Sequence, residues 1–397
     1  MSRSVAVIGG AAVPCGKLME RPDAPLQVLE HEVLARCVLD AVRDAGIEKS
    51  RIGSLVFSHP RVYTRQLYFA TFMAHYLRLP ADGIVMEVLG NGMTGGLAFD
   101  QAVDQVANGR ADVALALGTS FEMGADTAAH LNNTMRATGD VDFQSSCGFT
   151  PIAWYAMDAV RYMHEFKATR EQIASVAVKN RMHAAHNPLA QYRKPITLAE
   201  VMSQRMIVEP LGLLEVPPRS DGAACVVVAT EEVARQTGRP YALIRGRGFH
   251  HEGAHQISEV PADVTAFTPA TIASTRAYGE AGITAKDLDF AEIYAPCTIV
   301  EVCVSEAIGL LPRGEGAAAA AAGATTLGGD IPICTSGGLQ SRGHPPYVTP
   351  LYNVIEALEQ LRHRAGERQV RDAALGLTIC ELGNYNAALV HVMEAVA

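Results

Sequence analysis

Residues 335–346 read Thr-Ser-Gly-Gly-Leu-Gln-Ser-Arg-Gly-His-Pro-Pro and hold the clearest candidate for chemistry in this chain, His344. The glycines at 337 and 338 let the backbone approach a ligand closely, and Pro345 fixes the direction in which the chain leaves the loop. A histidine on its own more often caps a turn, but this loop favours a binding histidine. Gly338 is accordingly predicted to border a bound substrate.

Two tyrosines are further candidates. Residues 287–294 read Asp-Leu-Asp-Phe-Ala-Glu-Ile-Tyr, a predicted strand that closes at Tyr294, and open α/β sheets build their sites at the carboxyl ends of strands. Tyr294 could donate a hydrogen bond to an enolate, or exchange a proton if its surroundings lower its pKa from about 10. Tyr347 follows His344 closely enough in the sequence to reach the same pocket. For both tyrosines a packing role is the alternative.

The elements that must position these residues occur twice along the chain. Ala45-Gly46-Ile47 ends a predicted helix and leads into a strand, and Ala281-Gly282-Ile283 does the same 236 residues later. A helix and an apolar strand at 97–118 are echoed in the same way at 350–378. Alternating helices and apolar strands predict parallel sheets covered by helices, and the echoes indicate an internal duplication. The alanine-rich stretch 317–322 is interpreted as a surface connection.

The order and spacing of these motifs resemble the thiolase superfamily, and within it the lipid-transfer or sterol-carrier branch. The Gly-His-Pro loop carries the resemblance together with residues 176–181, Asn187-Pro188 and residues 219–224. In this family the histidine of the loop points into the pocket and donates a hydrogen bond to the thioester oxygen of acyl-CoA. The resemblance implies that role for His344.

The resemblance also implies the architecture. Two duplicated βαβαβ halves are expected to form a layered α/β/α/β/α fold, an α/β class. The expected halves are residues 1–240 and 241–397, with a loop domain inserted into the first half at about residues 120–220. Thiolase-like proteins pair through edge strands of their sheets, so a homodimer is expected by analogy.

The family's nucleophile is missing. Thiolases open the segment C-x-[ST]-G-G with a cysteine, whereas residues 91–96 here read Asn-Gly-Met-Thr-Gly-Gly. Gly92 has no side chain to acylate, so an acyl-enzyme at this position is excluded. By the same resemblance Gly92 and Met93 border the substrate. Tyr294 stands where thiolases carry an asparagine and the lipid-transfer branch a histidine, which help to form an oxyanion hole.

Two cysteines could replace the missing nucleophile. Cys380 lies near the position of the family's second cysteine, which acts as acid and base, but the glycine run that follows it in thiolases is absent. Cys297 follows the strand end at Tyr294 and could also lie near the pocket. A buried structural thiol is the simpler interpretation of both.

Composition restricts the other function classes. The chain has 397 residues, a formal net charge of −9 and no long basic run, which argues against nucleic-acid binding. Eight scattered cysteines without a C-x-x-C pair fit reduced thiols in the cytoplasm, and they form no metal-site pattern. The sequence contains no run of about twenty apolar residues, so no membrane span is expected. No cofactor is expected beyond the CoA of the substrate.

An enolate site without a thiol can still break a carbon–carbon bond beside a thioester. The retro-aldol reaction of a β-hydroxyacyl-CoA needs a base and an oxyanion site but no acyl carrier. The sequence resembles thiolase homologues that cleave steroid side chains as aldolases, together with a small partner containing a zinc ribbon and an OB-fold. Two alternatives remain open: a non-catalytic acyl-CoA or lipid-binding subunit, and an acyltransferase whose nucleophile has moved to Cys380 or Cys297.

Overall fold

The structure is a computed structural model that describes residues 3–18, 30–58, 68–80, 82–121, 134–135, 138–252, 263–383 and 385–397. The strands of this part of the chain are β1 Val5–Ala12, β2 Ser54–Ser58, β3 Val85–Val88, β4 Val113–Ser120, β5 Met206–Val208, β6 Leu211–Gly212, β7 Gly222–Thr230, β8 Tyr241–His251, β9 Phe290–Ile293, β10 Leu375–Glu381 and β11 Ala387–Val396. Its helices are α1 Glu30–Ala45, α2 Phe69–Tyr76, α3 Thr94–Ala107, α4 Pro151–Phe166, α5 Arg170–Ala185, α6 Leu198–Met202, α7 Glu231–Gln236, α8 Thr268–Ala281, α9 Thr298–Ala307, α10 Gly316–Ala321 and α11 Thr349–Leu361.

Strand pairing shows the predicted duplication directly. Within the described residues nine strands form one mixed sheet in the order β3-β2-β4-β7-β1-β8-β11-β10-β9. In each half the outer strands run parallel, as in β2 with β4 and β9 with β10, but the inner strands run antiparallel, so the sheet is mixed and not parallel throughout as the sequence pattern predicted. The bridge between Ala291 and Ile333 takes the place in the second half that β3 takes in the first. Antiparallel pairing of β1 with β8 joins the two halves.

Three hydrophobic cores separate the layers. The central core contains Phe99 of α3 and Leu351 of α11, which pack between Val226 of the first half and Phe290 of the second. Helix α1 covers the opposite face of the first half, and helices α8 and α9 cover that of the second. The two halves of the continuous sheet therefore lie on either side of α3 and α11 as separate layers, and the layer order is α/β/α/β/α, as predicted. The boundary between residues 240 and 241 stays a prediction.

Both repeated helix ends have the predicted caps. Helix α1 ends at Ala45 and helix α8 at Ala281, and each is followed by a glycine in the left-handed region, Gly46 at φ +69° and Gly282 at φ +70°. Such a glycine satisfies the last carbonyls of a helix without a Cβ clash. The alanine-rich stretch is not the surface connection that the sequence suggested. It forms α10, whose Ala317 is buried, because small residues let this helix pack closely against its neighbours.

The inserted region packs against the second half of the sheet. Tyr155 and Tyr162 of α4 share a core with Ile293 of β9 and Val304 of α9. Helix α4 consequently lies over the ends of β9 and β10, where the candidate residues converge. In the described residues, no helix combines the length and apolar character that crossing a bilayer requires.

Candidate functional site

A cavity of about 200 Å³ lies between helix α4, the turn before α3 and the carboxyl ends of β9 and β10. Among the described residues its polar lining includes Asn91, Thr138, Arg219, Tyr294, His344 and Glu381. Apolar groups form much of the remaining wall, among them Ile152, Trp154, Tyr155, Val216, Pro217, Pro296 and Pro346. A small apolar space with a few converging polar groups is typical of a small-molecule site.

Tyr294 is held rigidly at the end of β9. Its backbone N–H donates to the carbonyl of Ile379 at 2.9 Å, which continues the pairing with β10. Its own carbonyl accepts the hydroxyl of Tyr385 at 2.7 Å. Because both backbone groups of Tyr294 are hydrogen-bonded, the position from which its side chain projects is fixed. The residue is buried, with 2 % of its surface exposed.

His344 is positioned by the loop predicted from the glycines. Gly343 has φ +117°, and a Cβ there would lie 2.5 Å from the Cβ of Cys15, so only glycine fits. The His344 N–H donates to Ser220 Oγ at 3.0 Å, and the Ser220 N–H donates back to the His344 carbonyl at 3.2 Å. These paired bonds fix the histidine against the segment that carries Arg219.

The two side chains meet in one hydrogen bond. Tyr294 Oη and His344 Nε2 are 2.6 Å apart, and the rings lie edge to face with centroids separated by 5.5 Å. Burial, followed by the positive charges of Arg219 and Arg342, lowers the pKa of His344 well below 6.5. Burial, followed by the carboxylate of Glu381, raises the pKa of Tyr294 well above 10. Both partners are therefore neutral at physiological pH.

Gly92 lies directly against this pair. A Cβ atom at residue 92 would be 2.8 Å from Tyr294 Oη and 3.0 Å from the backbone oxygen of Glu381. Carbon atoms do not approach at such distances without displacement of a neighbour. The phenol of Tyr294 thus fills the space that a thiol-bearing side chain at residue 92 would need.

Glu381 and Arg219 are site residues that sequence reasoning did not select. Burial raises the pKa of Glu381 from 4.5 to about 7, against the lowering effect of hydrogen bonds from the N–H groups of Tyr385 and Gly383 and from the side chain of Tyr155. The Tyr385 N–H lies 3.1 Å from Glu381 Oε2. Arg219 lies in one of the segments that carry the family resemblance, and Glu381 follows the singled-out Cys380, but neither position by itself indicated a pocket.

The remaining sequence candidates lie around the cavity rather than on the part of its wall that the structure describes. Met93 and Cys380 pack behind Tyr294 in a small buried cluster. Tyr347 is buried, and its carbonyl accepts a hydrogen bond from Ser58. Gly338 has φ +59° and packs against the amide of Asn180.

The two candidate thiols are in environments that oppose nucleophilic chemistry. Cys297 precedes α9 and Cys380 lies within β10, and both are buried. Burial raises the pKa of each thiol well above 9, and nearby carboxylates raise it further. A thiol rather than a thiolate is present in each case, and the thiol is the unreactive form. Within the described residues, no group of three or more His, Cys, Asp or Glu side chains could hold a metal ion.

Comparison with known proteins agrees with this architecture. The thiolase N-terminal domain family matches residues 5–232, and the thiolase C-terminal domain-like family matches residues 250–395. The chain is 31% identical to an acetyl-CoA acetyltransferase of Methanothermobacter thermautotrophicus, with 99% of this chain and 100% of the relative covered. It is also 31% identical to a steroid side-chain-cleaving aldolase of Thermomonospora curvata, with 84% of this chain and 85% of the relative covered.

A solved structure is similar over the whole chain. The Ltp2-ChsH2(DUF35) aldolase superposes with a TM-score of 0.81 at 28% identity, with 99% of this chain and 98% of that chain covered. Together with the two family matches and the duplicated sheet, this similarity establishes the family. The chain belongs to the thiolase family.

Proposed function

We propose that this chain is an aldolase-type lyase that cleaves the Cα–Cβ bond of a β-hydroxyacyl-CoA and releases a ketone and a short acyl-CoA. The observation that carries the proposal is the position of Tyr294 Oη, 2.8 Å from where a Cβ at residue 92 would lie. A thiol-bearing side chain at residue 92 would have to displace this phenol. Chemistry that needs an enolate but no acyl-enzyme is what the remaining groups support.

The Tyr294–His344 pair suits the oxygen of an enolate. When the Nε2 proton of neutral His344 donates to the phenol oxygen, the phenol's own proton is left for a substrate oxygen. Hydrogen bonds in such a chain strengthen one another in a buried site. As the Cα–Cβ bond breaks, the thioester oxygen gains negative charge, and preorganised donors there are usually the largest catalytic contribution.

Arg219 adds a positive charge on the same wall. It is the described group whose charge acts on both Tyr294 and His344. A cation beside the developing enolate lowers the energy of the charged transition state more than that of the neutral thioester. Because the pKa of Tyr294 is raised rather than lowered, we assign this tyrosine to hydrogen bonding and not to proton removal.

The substrate class follows from the relatives and the apolar wall. Similarity to a steroid side-chain-cleaving aldolase supports a steroid or lipid side-chain thioester. Similarity to the Ltp2-ChsH2(DUF35) aldolase supports a complex with a small partner protein. That this partner contains a zinc ribbon and an OB-fold stays a prediction from the sequence resemblance. The edge position of β3 in the sheet supports a homodimer through paired edge strands.

Acyl transfer is the competing function, because an acetyl-CoA acetyltransferase is among the relatives. It would require Cys380 or Cys297 to act as a thiolate, and burial opposes ionisation of both. The histidine of the Gly-His-Pro loop is kept and is paired with a tyrosine that the family does not carry there, which argues against a purely structural subunit.

The test is product analysis by mass spectrometry. Purified protein, alone and co-expressed with a zinc-ribbon partner, is incubated with CoA thioesters that carry a tertiary β-hydroxyl on either a steroid side chain or a short aliphatic chain. Equal molar release of ketone and short acyl-CoA supports the proposal, and preference for the steroid substrate supports the substrate class. Tight binding without turnover by either preparation would refute it.

A further inference from the structure

Retro-aldol cleavage needs a group that accepts the β-hydroxyl proton, and the Tyr294–His344 pair is poorly suited to that task. A phenol with a raised pKa gives up its proton reluctantly, and a histidine with a lowered pKa is a weak base. Another group on the same wall is therefore better suited to accept this proton. Identification of this proton acceptor rests on the proposed function, which requires such a base.

Glu381 is the carboxylate that lines the cavity in the described residues. It is the last residue of β10, and its neighbour Cys380 faces α3, where the thiol would lie 2.4 Å from a Cβ at Gly96. Successive side chains of a strand point to opposite faces. The alternation that directs Cys380 toward α3 consequently directs Glu381 toward the substrate space.

Neutral hydrogen-bond donors hold the carboxylate of Glu381 in place, and within the described residues no positively charged side chain forms an ion pair with it. The backbone N–H of Tyr385 donates to Oε2 at 3.1 Å, and the backbone N–H of Gly383 and the side chain of Tyr155 supply two further hydrogen bonds. By contrast, the buried Glu301 has Lys179 as its partner and the buried Glu356 has Arg368. A buried carboxylate with neutral donors is available for proton transfer.

Six titratable groups of the described residues surround Glu381. They are Tyr155 of α4, Tyr294 at the end of β9 and Tyr385 in the turn after β10, with Cys380 on the same strand and Arg219 and His344 elsewhere on the cavity wall. All but Arg219 are neutral near pH 7, because burial raises the pKa of the tyrosines and the thiol and lowers that of the histidine. Glu381 has a pKa of about 7 and titrates in this range.

We infer that Glu381 is the acid and base of the reaction, and that it carries one proton from the β-hydroxyl to Cα. The ionised carboxylate removes the hydroxyl proton, and the oxygen's electron pair forms the ketone C=O bond. The Cα–Cβ electron pair moves into the thioester to give the enolate. The protonated Glu381 then returns the proton to Cα, so that the products are a ketone and an acyl-CoA and the carboxylate is regenerated.

The test uses Glu381→Gln, with Glu306→Gln as a matched control. Glu306 is also a buried carboxylate with a raised pKa, but it hydrogen-bonds Tyr162 and the backbone at Gly316 and lies outside the described cavity wall. The proteins, with partner if the wild type requires it, are compared for kcat/KM between pH 6 and 8. For wild type and Glu306→Gln, kcat/KM should rise about tenfold from pH 6 to pH 8, because the base becomes ionised over this range. Glu381→Gln should lose about 10²–10⁴-fold in rate together with this pH dependence.

A second readout separates this inference from the proposed function. In D₂O the wild type should exchange the α-protons of a short acyl-CoA, because the reverse proton transfer forms the same enolate, and Glu381→Gln should not. If the wild type exchanges α-protons but releases no ketone, the retro-aldol proposal fails while the role of Glu381 stands.

Cleavage or exchange by Glu381→Gln at near wild-type rate overturns the inference, as does a wild type that neither cleaves nor exchanges. If Glu381→Gln does not fold, Glu381→Asp replaces it. That variant keeps a carboxylate one methylene further back, and should cleave more slowly with the pH dependence retained.

Discussion

The phenol oxygen of Tyr294 lies 2.8 Å from the position that a Cβ atom at Gly92 would occupy. One substitution removes the thiolase nucleophile and the other fills its space, so the two residues form a single structural unit. The same phenol oxygen is 2.6 Å from Nε2 of His344, the histidine of the Gly-His-Pro loop. The space that a thiol at residue 92 would need is therefore not empty, because the phenol of Tyr294 fills it and hydrogen-bonds His344.

This coupling predicts how a nucleophile could be restored. Gly92→Cys alone should destabilise the fold by about 1–3 kcal/mol through overpacking and should form no acyl-enzyme. Gly92→Cys with Tyr294→Asn removes the contact with the phenol and opens the space between residue 92 and His344 Nε2 for a thiol, although the Cβ still lies 3.0 Å from the backbone oxygen of Glu381. We expect an acyl adduct in the double variant only, detected by intact-protein mass spectrometry after incubation with acyl-CoA. An adduct on Tyr294→Asn alone would place the nucleophile elsewhere and contradict the account.

The native cysteines of the site should be dispensable. Because burial keeps the thiols of Cys380 and Cys297 protonated, replacing either by alanine should leave kcat within about threefold of wild type. Neither should react with iodoacetamide in the folded protein, whereas the exposed Cys147 should be labelled and serves as the internal control. Loss of turnover on a cysteine substitution, with the fold intact by near-ultraviolet circular dichroism, would favour the acyltransferase alternative.

Glu381 should carry a stability cost that depends on pH. Its pKa is raised from 4.5 to about 7 in the folded protein, so between these values the folded state binds more protons than the unfolded state. The free energy of unfolding should therefore fall as pH rises through this window, by at most about 3 kcal/mol from this group. In Glu381→Gln this contribution disappears.

Urea denaturation at pH 5 and pH 8 measures the effect. Relative to wild type, the unfolding free energy of Glu381→Gln should be higher at pH 8 than at pH 5, because only wild type loses the contribution of Glu381 as pH rises. A variant that gains stability while losing activity is typical of a strained functional group. A difference that does not change with pH would mean that the carboxyl ionises normally in the folded protein.

The sequence predicted the fold and the strand end that carries Tyr294, because both depend on local patterns. Apolar strands, the Ala-Gly-Ile helix ends and the duplicated spacing are short-range features, and the structure confirms them. The absence of a thiol at Gly92 was also evident from one residue. The steric relationship between Gly92 and Tyr294 could not be predicted from the sequence. The two residues are about 200 positions apart, and their contact depends on how the two halves of the fold pack together.

The cavity wall was harder to predict for a different reason. Resemblance to the family drew attention to Cys380, but strand alternation directs that side chain toward α3 and Glu381 toward the cavity. Tyr347 follows His344 by three residues, yet its ring is not among the described residues of the wall. Closeness in sequence to a candidate residue does not determine whether a side chain points into the cavity. The register of β10 sets this for Cys380 and Glu381, and the course of the loop after Pro345 sets it for Tyr347.

The most direct test of the central claim compares wild type with Tyr294→Phe in a quenched reaction on a β-hydroxyacyl-CoA, with ketone, short acyl-CoA and intact protein all quantified by mass spectrometry. We predict that the wild type releases ketone and acyl-CoA in equal amounts with no acyl adduct. Tyr294→Phe should bind the thioester with similar affinity and turn it over about 10²–10³-fold more slowly, the cost of removing one enolate donor. An acyl adduct on the wild type, or full turnover by Tyr294→Phe, would contradict the claim.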